Sequence, residues 1–426
     1  MKKLENGLKL GAQDAVFAEV LTAERLTNEK KPIIIGIKRL GKEEKSMERQ
    51  IYCDHAATTP LDESVFEKMR PYYTEYFGNA DSLHGFGRKA QNAVDQARDK
   101  VAELLSAKPS EIYFTSGGTE SDNWAVIGGA TAMRKQGKSH VLISSIEHHA
   151  VMASGEKLAK DGFEVEYIPV NQMGRVEIHE VLKRIRPTTG LIVVMSANNE
   201  TGALQPIQEI GKIAKEKGAL FFTDCVQYAP HQRIDVTALG ADILSISAHK
   251  FYGPKGCGAL YIKKGVGIEK FVVGGEQERG LRGGTVNVPS VVGLATAFEK
   301  CVAEQTETET KLKNLRKIFV DGMLKIDGVS LNGDETGLPS IVNLRIDGVE
   351  NGTFLYNMDL HGIGISAGSA CASASLKPSH VLTAMGLTES QAKSSVRFSF
   401  GKGNTVEEIE TVVKTSKEII ERLRKG

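Results

Sequence analysis

Short apolar runs alternate with amphipathic stretches between about residues 65 and 310. Runs of this kind, bounded by polar or glycine-containing turns, predict buried strands at 111–114, 140–143, 191–195, 219–222, 241–246 and 259–262. Helical patterns separate most of them. Regular alternation of strands and helices favours a mostly parallel central sheet with helices on both faces, so we predict an α/β fold here.

The remainder of the chain has a different pattern. Residues 311–426 predict a smaller α+β domain, whose last helix starts at a capping box of Thr405 and Glu408 and presents an apolar stripe. We take 65–310 as the large domain and 47–64 as an N-terminal segment that joins the small one. Residues 1–46 form an N-terminal extension to which we assign no chemistry.

Composition and charge narrow the class of protein. The chain has 426 residues, 41% hydrophobic and 25% charged, which is ordinary for a soluble globular protein. A formal net charge of +1 gives no reason to expect direct binding to nucleic acid or an anionic membrane. No apolar run approaches the ~18 residues that span a bilayer, and the first residues lack the apolar core of a signal peptide.

The cysteines indicate a compartment. An odd number at scattered positions fits free thiols in a reducing cytoplasm better than disulfides or a zinc site: Cys53, Cys225, Cys257, Cys301 and Cys371. We therefore expect a cytoplasmic protein, and at least one of these thiols could be reactive.

A lysine follows one of the predicted strands. Lys250 comes after the apolar run 241–246 and before a Gly253-Pro254 turn, which places its amine where a strand end meets a cleft. A partly desolvated amine can have a lowered pKa and form a Schiff base with an aldehyde such as pyridoxal phosphate. A surface lysine that leads into a turn explains the motif alone equally well.

An aspartate ends another strand. Asp224 follows the very apolar run 219–222, and a carboxylate is costly to bury there without a cationic partner. A protonated pyridine nitrogen would be such a partner, while a helix N-cap or an ion pair are the alternatives. Asp224 and Lys250 are 26 positions apart, which leaves room for one helix between two strand ends of the same sheet.

Three further turns carry polar groups after strands. The glycine-containing turn 115–120 opens a helical pattern near Ser121, so its backbone N–H groups suit a phosphate, although it matches neither dinucleotide nor nucleoside triphosphate motifs. His148 and His149 follow a second strand, and 198–202 follows a third. One histidine could stack on a flat ring and one asparagine could bond a phenolic oxygen, or both could be ordinary loop residues.

The C-terminal part contributes a thiol and a guanidinium. Small residues at 365–375 surround Cys371 and argue against burial of its side chain, whose thiolate is the nucleophilic form. Arg397 lies in an alternating strand pattern at 395–399. Its guanidinium can clamp a substrate carboxylate through two parallel hydrogen bonds, or it can be ion-paired at the surface.

Taken together with the segments 52–60 and 78–84, these motifs resemble the cysteine desulfurases. These are pyridoxal phosphate enzymes of fold type I, the aspartate-aminotransferase-like fold. The resemblance extends from about Tyr52 to the last helix, and it rests on several separated motifs in the same order.

The resemblance implies a role for each site residue. Lys250 would form the Schiff base and then move protons, Cys371 would be the nucleophile, and His148 would stack on the ring. The other cofactor-binding residues would be Asp224 at the pyridine nitrogen, Gln227 and Asn199 near the phenolic oxygen, and Gly118, Thr119, Ser247 and His249 at the phosphate. Thr285 would reach the phosphate of a second subunit, which implies a homodimer, while Arg397 and Asn199 would bind the substrate.

The resemblance also implies a reaction and partners. L-Cysteine would become L-alanine, and its sulfur would pass to Cys371 as a persulfide for an iron–sulfur cluster scaffold or another acceptor. The long loop resembles the branch that serves cluster assembly and transfer-RNA thiolation. We expect no metal site in the isolated chain, although Cys371 could help to bind a cluster in a scaffold complex.

Two alternatives stay open, and three positions depart from the family pattern. The chain could be a class-V aminotransferase or lyase without a nucleophilic thiol, or a non-catalytic docking module for sulfur acceptors. Cys225 beside Asp224 is either a silent replacement or a second thiol that affects the site. Gly118 replaces a usual alanine, and His55 a common asparagine.

Overall fold

A seven-stranded sheet forms the centre of the computed structural model, which describes residues 50–368 and 378–425. The strands are ordered β2-β8-β7-β6-β5-β3-β4. Their bounds are β2 Ile112–Thr115, β3 His140–Ser144, β4 Glu164–Ile168, β5 Thr189–Val193, β6 Leu220–Asp224, β7 Ile243–Ser247 and β8 Gly258–Ile262. Strands β7, β6, β5, β3 and β4 run parallel, and β8 is antiparallel to both of its neighbours. The prediction of a mostly parallel sheet is therefore confirmed.

Alternate side chains of each strand enter two different hydrophobic clusters. Leu142 and Ile192 belong to one cluster, together with residues of the helices Gly85–Leu104 and Val288–Ala303. Val141 and Ile143 belong to the other, together with Trp124. Because successive strand side chains point to opposite faces, this division shows that both faces of the sheet are covered, as predicted.

The described helices lie mainly in the segments that connect the strands. Gly118–Asn123 and Gly129–Arg134 are joined by a π-helical turn at Trp124–Gly128. The others are Glu63–Met69, Pro71–Thr74, Gly85–Leu104, His149–Lys160, Ile178–Arg184, Ile207–Lys217, Val236–Leu239, Val288–Ala303, Gln305–Met323, Asn351–Leu360, His380–Ala384, Glu389–Lys393 and Val406–Leu423.

Two small sheets lie in the rest of the described chain. β9 (Val329–Asn332), β10 (Ile341–Ile346) and β12 (Ser395–Ser399) form an antiparallel sheet with β10 in the middle. β1 (Ile51–Tyr52) pairs in parallel with β11 (Ile363–Gly364), which ties the start of the described chain to its C-terminal part. The predicted capping box is present, since Thr405 and Glu408 exchange side chain to backbone hydrogen bonds at the start of the last helix.

Several element bounds differ from the predictions by a few residues. Glu111 lies in a 3-10 turn rather than in β2, and the helix predicted near Ser121 already begins at Gly118. Met195 lies beyond the end of β5, in the turn that leads to the site. Residues 1–46 lie outside the described residues, and the domain boundaries at 47–64, 65–310 and 311–426 remain predictions. Within the described ranges, no helix combines the length and apolarity needed to cross a membrane.

Candidate active site

A cavity of about 220 Å³ lies where the carboxyl ends of β5, β6 and β7 meet. Carboxyl ends of parallel strands are the usual place for ligands in α/β sheets. Ten of the predicted site residues line this cavity: Gly118, Thr119, His148, Asn199, Asp224, Gln227, Ser247, His249, Lys250 and Arg397. The sequence motifs therefore converge in space, although they are spread over 280 positions.

Asp224 is the last residue of β6, and its carboxyl group is buried. Its Oδ1 accepts a hydrogen bond of 2.7 Å from the amide of Val226. Burial raises the pKa of Asp224 to about 6, while that hydrogen bond and the charge of Lys250 oppose the rise. A carboxyl in this setting favours a cationic partner in the cavity, and a protonated pyridine nitrogen fits that requirement.

Lys250 ends the 3-10 turn that follows β7, one strand away from Asp224. Its Nζ donates to the backbone carbonyl oxygens of Ala56 and Ala57, at 2.5 and 2.8 Å. These two alanines also line the cavity. The amine is therefore held at the cavity wall by backbone groups of the segment 52–60, a contact that the sequence did not indicate.

His148 precedes the helix His149–Lys160 and caps it. Its Nδ1 accepts from the amide of Ala150 at 3.2 Å. Burial, aided by the charge of Lys250, lowers the pKa of His148 to about 4. The imidazole is therefore neutral near pH 7. Since Nδ1 accepts, the ring hydrogen is on Nε2, and a neutral ring at the cavity wall suits stacking on an aromatic ligand.

The turn before Gly118 presents backbone groups at one end of the cavity. Gly117 has φ of 146°, a conformation that favours glycine. A Cβ added at Gly258 would lie 2.8 Å from the Cα of Gly117, so β8 and this turn approach more closely than side chains allow. Thr119, Ser247 and His249 surround the same end, where His249 Nδ1 lies 3.1 Å from Thr58 Oγ1. This donor set suits a phosphate.

Arg397 lies in β12, lines the cavity and is 1% exposed. Its Nη2 donates to Asp54 Oδ1 at 2.7 Å, and its Nη1 donates to the backbone oxygen of Asn199 at 2.9 Å. Its Nε has no hydrogen-bond partner among the described residues. A guanidinium that is buried, oriented and still able to donate can bind a carboxylate of a ligand.

Gln227 and Asn199 complete the ring-binding part of the cavity wall. Gln227 Nε2 donates to the carbonyl oxygen of Ala56 at 2.7 Å, which fixes its amide. Asn199 is 9% exposed and its backbone oxygen is held by Arg397. Both amides face the cavity from separate elements, which is the placement that the resemblance implies.

Sequence reasoning missed several lining residues, among them Asp122, Met195 and Val226. Asp122 accepts from Ser245 Oγ at 2.6 Å, and burial together with the charge of Asp224 raises its pKa well above the ordinary value. Its signal was a carboxyl at a core position of the helical pattern, between the turn and Trp124. That signal becomes informative only when the strand beside it is known.

Cys225 is fully buried, and its surroundings do not favour a reactive thiolate. Its Sγ lies 2.7 Å from Ser196 Oγ, and burial raises the pKa of its thiol far above the usual value. The residue is not among those that line the cavity within the described chain. These observations favour a silent replacement over a second reactive thiol.

Two predicted residues are not among the described residues that line this cavity, and one of them, Cys371, is not described at all. Thr285 is exposed, in a loop that follows the bridge between Val272 and Arg282. Cys371 lies outside the described residues. Within the described ranges, no group of three or more His, Cys, Asp or Glu side chains is arranged to hold a metal ion.

The fold and the cavity define a class. A lysine and an aspartate at neighbouring strand ends, with backbone donors for a phosphate and a neutral histidine in the same cavity wall, are the arrangement of a pyridoxal phosphate enzyme of fold type I. The residues present fit this cofactor, because each of its polar groups has a complementary group in the cavity wall.

Comparisons with known proteins agree with this class. The family model "Aminotransferase class-V" matches residues 51–412. The cysteine desulfurase IscS of Methanosarcina thermophila is 48% identical over 377 residues, which cover 88% of this chain and 93% of the relative. The structure of a NifS-like protein has a TM-score of 0.83 and 37% identity, with 88% of this chain and all of that chain covered. A structure described as SspA in complex with cysteine has a TM-score of 0.73 and 37% identity, with 83% and 100% covered.

The chain therefore belongs to the class-V aminotransferase family and, within it, to the pyridoxal phosphate-dependent cysteine desulfurases.

Proposed function

We propose that this enzyme converts L-cysteine to L-alanine and transfers the sulfur to Cys371 as a persulfide. The observation that carries the proposal is the convergence of the Lys250 amine, the Asp224 carboxyl and the Arg397 guanidinium on one cavity. The first two groups suit the cofactor, and the third suits the carboxylate of an amino acid substrate.

The cofactor would be held by the groups described above. Asp224 would pair with the ring nitrogen, Gln227 and Asn199 would lie near the phenolic oxygen, and His148 would stack on the ring. Gly118, Thr119, Ser247 and His249 would hold the phosphate. When bound, pyridoxal phosphate supplies an aldehyde for amines and a ring that withdraws electrons from the substrate α carbon.

The chain's own residues would carry the remaining work. Arg397 binds the substrate carboxylate, and its contacts with Asp54 and Asn199 keep the guanidinium in place. The Lys250 amine would take the proton from the substrate α carbon and would return protons to the substrate later. His148 stays neutral and adds no competing charge, because its pKa is lowered to about 4.

Cys371 would act in the sulfur transfer step. Its thiolate attacks the substrate sulfur, so that an S–S bond forms while the Cβ–S bond of the substrate breaks. The carbon skeleton keeps the electron pair of that bond, takes up a proton at Cβ and leaves as alanine. The persulfide then passes its outer sulfur to an iron–sulfur cluster scaffold or another acceptor.

Replacement of the nucleophile tests the proposed function. A Cys371→Ser variant should keep the cofactor absorbance and release no sulfide from cysteine, while the matched control Cys301→Ser should behave like the wild type. Mass spectrometry of the Cys371 peptide after incubation with cysteine should find one added sulfur atom. Full sulfide release by Cys371→Ser would instead favour a class-V enzyme without a nucleophilic thiol.

We also propose that the active form is a homodimer. Large apolar side chains are exposed between residues 66 and 86, with Leu83 at 92% and Phe77 at 66%. Patches of this kind on a soluble protein mark interaction surfaces. Gln277 Nε2 donates to Asp81 Oδ2 at 2.7 Å, which connects this surface to the loop that carries Thr285. Both regions would then face the second subunit, as a shared phosphate site requires.

The free thiols and the proposed persulfide also bear on the compartment of the protein. Free thiols at Cys53, Cys225, Cys257 and Cys301 fit a reducing environment, and a persulfide carrier needs one. We propose a cytoplasmic location and a protein acceptor for the sulfur.

A further inference from the structure

One buried carboxylate contacts both edges of the segment that carries Cys371. Residues 369–377 lie outside the described ranges, so the last described residue before them is Gly368 and the first ones after them are Pro378 and Ser379. Glu200 meets both sides. It is 2% exposed and lies directly after Asn199 in the sequence.

The contact on the C-terminal side is a hydrogen bond. Ser379 Oγ donates to Glu200 Oε2 at 2.6 Å. The same hydroxyl accepts from the amide of Leu382 at 3.2 Å, so it also caps the helix His380–Ala384. A hydrogen bond to a buried carboxylate is among the stronger kinds in proteins.

The contact on the N-terminal side is a close approach of the backbone. Gly368 has φ of 149°, and a Cβ added to it would lie 2.9 Å from Glu200 Oε2. Only glycine fits this position, since it must adopt a conformation that other residues rarely take and must leave room for the carboxylate. The C-terminal flank is therefore hydrogen-bonded to the Glu200 carboxylate. The N-terminal flank passes close beside it, where the backbone of Gly368 exchanges hydrogen bonds with Ser366 Oγ.

Glu200 is itself fixed to the substrate side of the cavity. Its amide donates to Asn198 Oδ1 at 2.9 Å, and its carbonyl oxygen accepts from Asn343 Nδ2 at 3.1 Å. The preceding residue, Asn199, accepts from the guanidinium of Arg397. A shift of the Glu200 backbone would thus displace the group that binds the substrate carboxylate.

Other contacts hold the two flanks beside the elements that carry Arg397 and His148. Ser366 and Arg397 exchange backbone hydrogen bonds of 3.2 and 2.7 Å. His380 Nε2 lies 2.9 Å from the carbonyl oxygen of Glu147, and Val381 and Leu382 pack with Ile146. One end of the segment therefore lies beside β12, which carries Arg397, and the other beside the turn that precedes His148.

We propose that Glu200 is a positioning residue for the Cys371 segment, because its carboxylate anchors Ser379 at one end and packs beside Gly368 at the other. The proposal rests on the proposed function, in which Cys371 must reach the substrate sulfur. Cys371 is three residues beyond Gly368, and three residues of extended chain span at most about 11 Å. The position of Gly368 therefore sets how far from it the thiol can reach.

Three variants separate positioning from folding. Glu200→Ala removes both contacts, Glu200→Gln keeps an oxygen that can accept from Ser379, and Ser379→Ala removes one contact. Glu389→Gln, at an exposed position of the helix Glu389–Lys393, is the matched control. Each holoenzyme is mixed with cysteine, and two rates are followed: the change of cofactor absorbance and the appearance of persulfide on Cys371 by quenched mass spectrometry.

We expect Glu200→Ala to slow persulfide formation by roughly 10- to 100-fold, because small misplacements of a reacting group have effects of that size. The cysteine concentration for half of the absorbance change should stay within about twofold of the wild type, a readout that a general structural defect would move. Glu200→Gln should keep most of the rate. Ser379→Ala should slow it roughly three- to tenfold, and should add little in the Glu200→Ala background, because the two residues act as one unit.

Several outcomes would overturn the inference. Persulfide formation at the wild-type rate in Glu200→Ala is one, and equal losses of absorbance change and persulfide formation are another. If Glu200→Ala does not fold, a wild-type rate in Ser379→Ala overturns it as well. Absence of persulfide on Cys371 in the wild type would sink the proposed function itself, which is a distinguishable result.

Discussion

At the scale of single residues, burial sets the charge of the groups around the cavity. Glu147 is fully buried beside His148, and burial raises its pKa to about 8. Ser144 Oγ and the amide of Met195 donate to its Oε1, at 2.5 and 2.7 Å, while Oε2 has no partner among the described residues. The side chain is thus mainly the neutral acid below about pH 8.

The first prediction concerns this acid. A carboxyl whose pKa is raised on folding stabilises the protein fully below its unfolded value near 4.5, and that contribution is lost as the pH rises towards 8. Glu147→Gln keeps an acceptor for both hydrogen bonds and cannot ionise. Its free energy of unfolding, measured with guanidinium, should therefore gain on that of the wild type between about pH 5 and about pH 9, by on the order of 4 kcal/mol. A pH-independent difference, or an equal gain in Glu389→Gln, would contradict this.

The second prediction concerns Arg397. Lysine has a point charge and cannot reproduce the fork that contacts Asp54, Asn199 and a substrate carboxylate together. Arg397→Lys should raise the KM for cysteine about tenfold or more, which corresponds to the loss of a charged hydrogen bond, and should change kcat much less. Steady-state kinetics measure both. An unchanged KM with a strongly reduced kcat would assign Arg397 to the chemical step instead.

At the scale of elements, turns after strands place the chemistry, and helix caps fix the turns. Asp224 ends β6 and Lys250 follows β7, so the parallel pairing of these two strands brings acid and amine together. His148 and Ser379 each cap a helix. His148 also lines the cavity, and Ser379 donates to Glu200, the residue after Asn199 in the chain. The same local rule, a polar side chain at a helix start, thus serves both stability and placement.

The third prediction tests a cap away from the site. Thr405 Oγ1 accepts from the Glu408 amide, and Glu408 Oε2 accepts from the Thr405 amide. Thr405→Ala should lower the free energy of unfolding by about 1 kcal/mol, because the first turn of the last helix loses an acceptor. Thr411→Ala, an exposed threonine inside the same helix, is the control and should have a much smaller effect. Denaturant unfolding followed by circular dichroism compares the two.

At the scale of the whole molecule, the main sheet, the small sheets and the exposed apolar surface have separate tasks. The seven-stranded sheet carries the strand ends that we propose to bind the cofactor, whereas β12 brings Arg397 to the same cavity. The exposed side chains between residues 66 and 86 lie outside the hydrophobic clusters that pack against the main sheet and against the small antiparallel sheet. A second copy of the chain is the occupant that we propose for them.

The fourth prediction tests whether sites are shared between subunits. Lys250→Ala and Thr285→Ala should each have little activity as homodimers. If Thr285 serves the other subunit, refolding or coexpressing the two variants together creates one intact site in each mixed dimer and restores sulfide release. A matched mixture of either single variant with the double variant, Lys250→Ala and Thr285→Ala, should restore no sulfide release. Failure of the first mixture, with mixed dimers confirmed by mass spectrometry, would place Thr285 in its own subunit's site or outside any site.

The sequence by itself determined the local elements and most of the site's chemistry. Strands, capping box and strand-end residues such as Asp224 and Lys250 are encoded by nearby residues, through apolar periodicity and turn chemistry. That is why the α/β architecture and cavity residues at strand ends, such as Asp224 and Lys250, could be predicted, whereas others, such as Gln227 and Ser247, were implied only by the resemblance to the cysteine desulfurases. The identification of their roles needed the resemblance, since each motif alone had an ordinary structural reading.

Only the tertiary structure decided which distant groups meet. Ala56 and Ala57 hold the Lys250 amine through backbone oxygens, which have no signature in the sequence. Asp122 is buried because β7 packs beside it, and Glu200 contacts residues 168 and 179 positions further along the chain. Such contacts depend on the crossing of several elements, and their strength comes from burial, which a linear pattern does not contain.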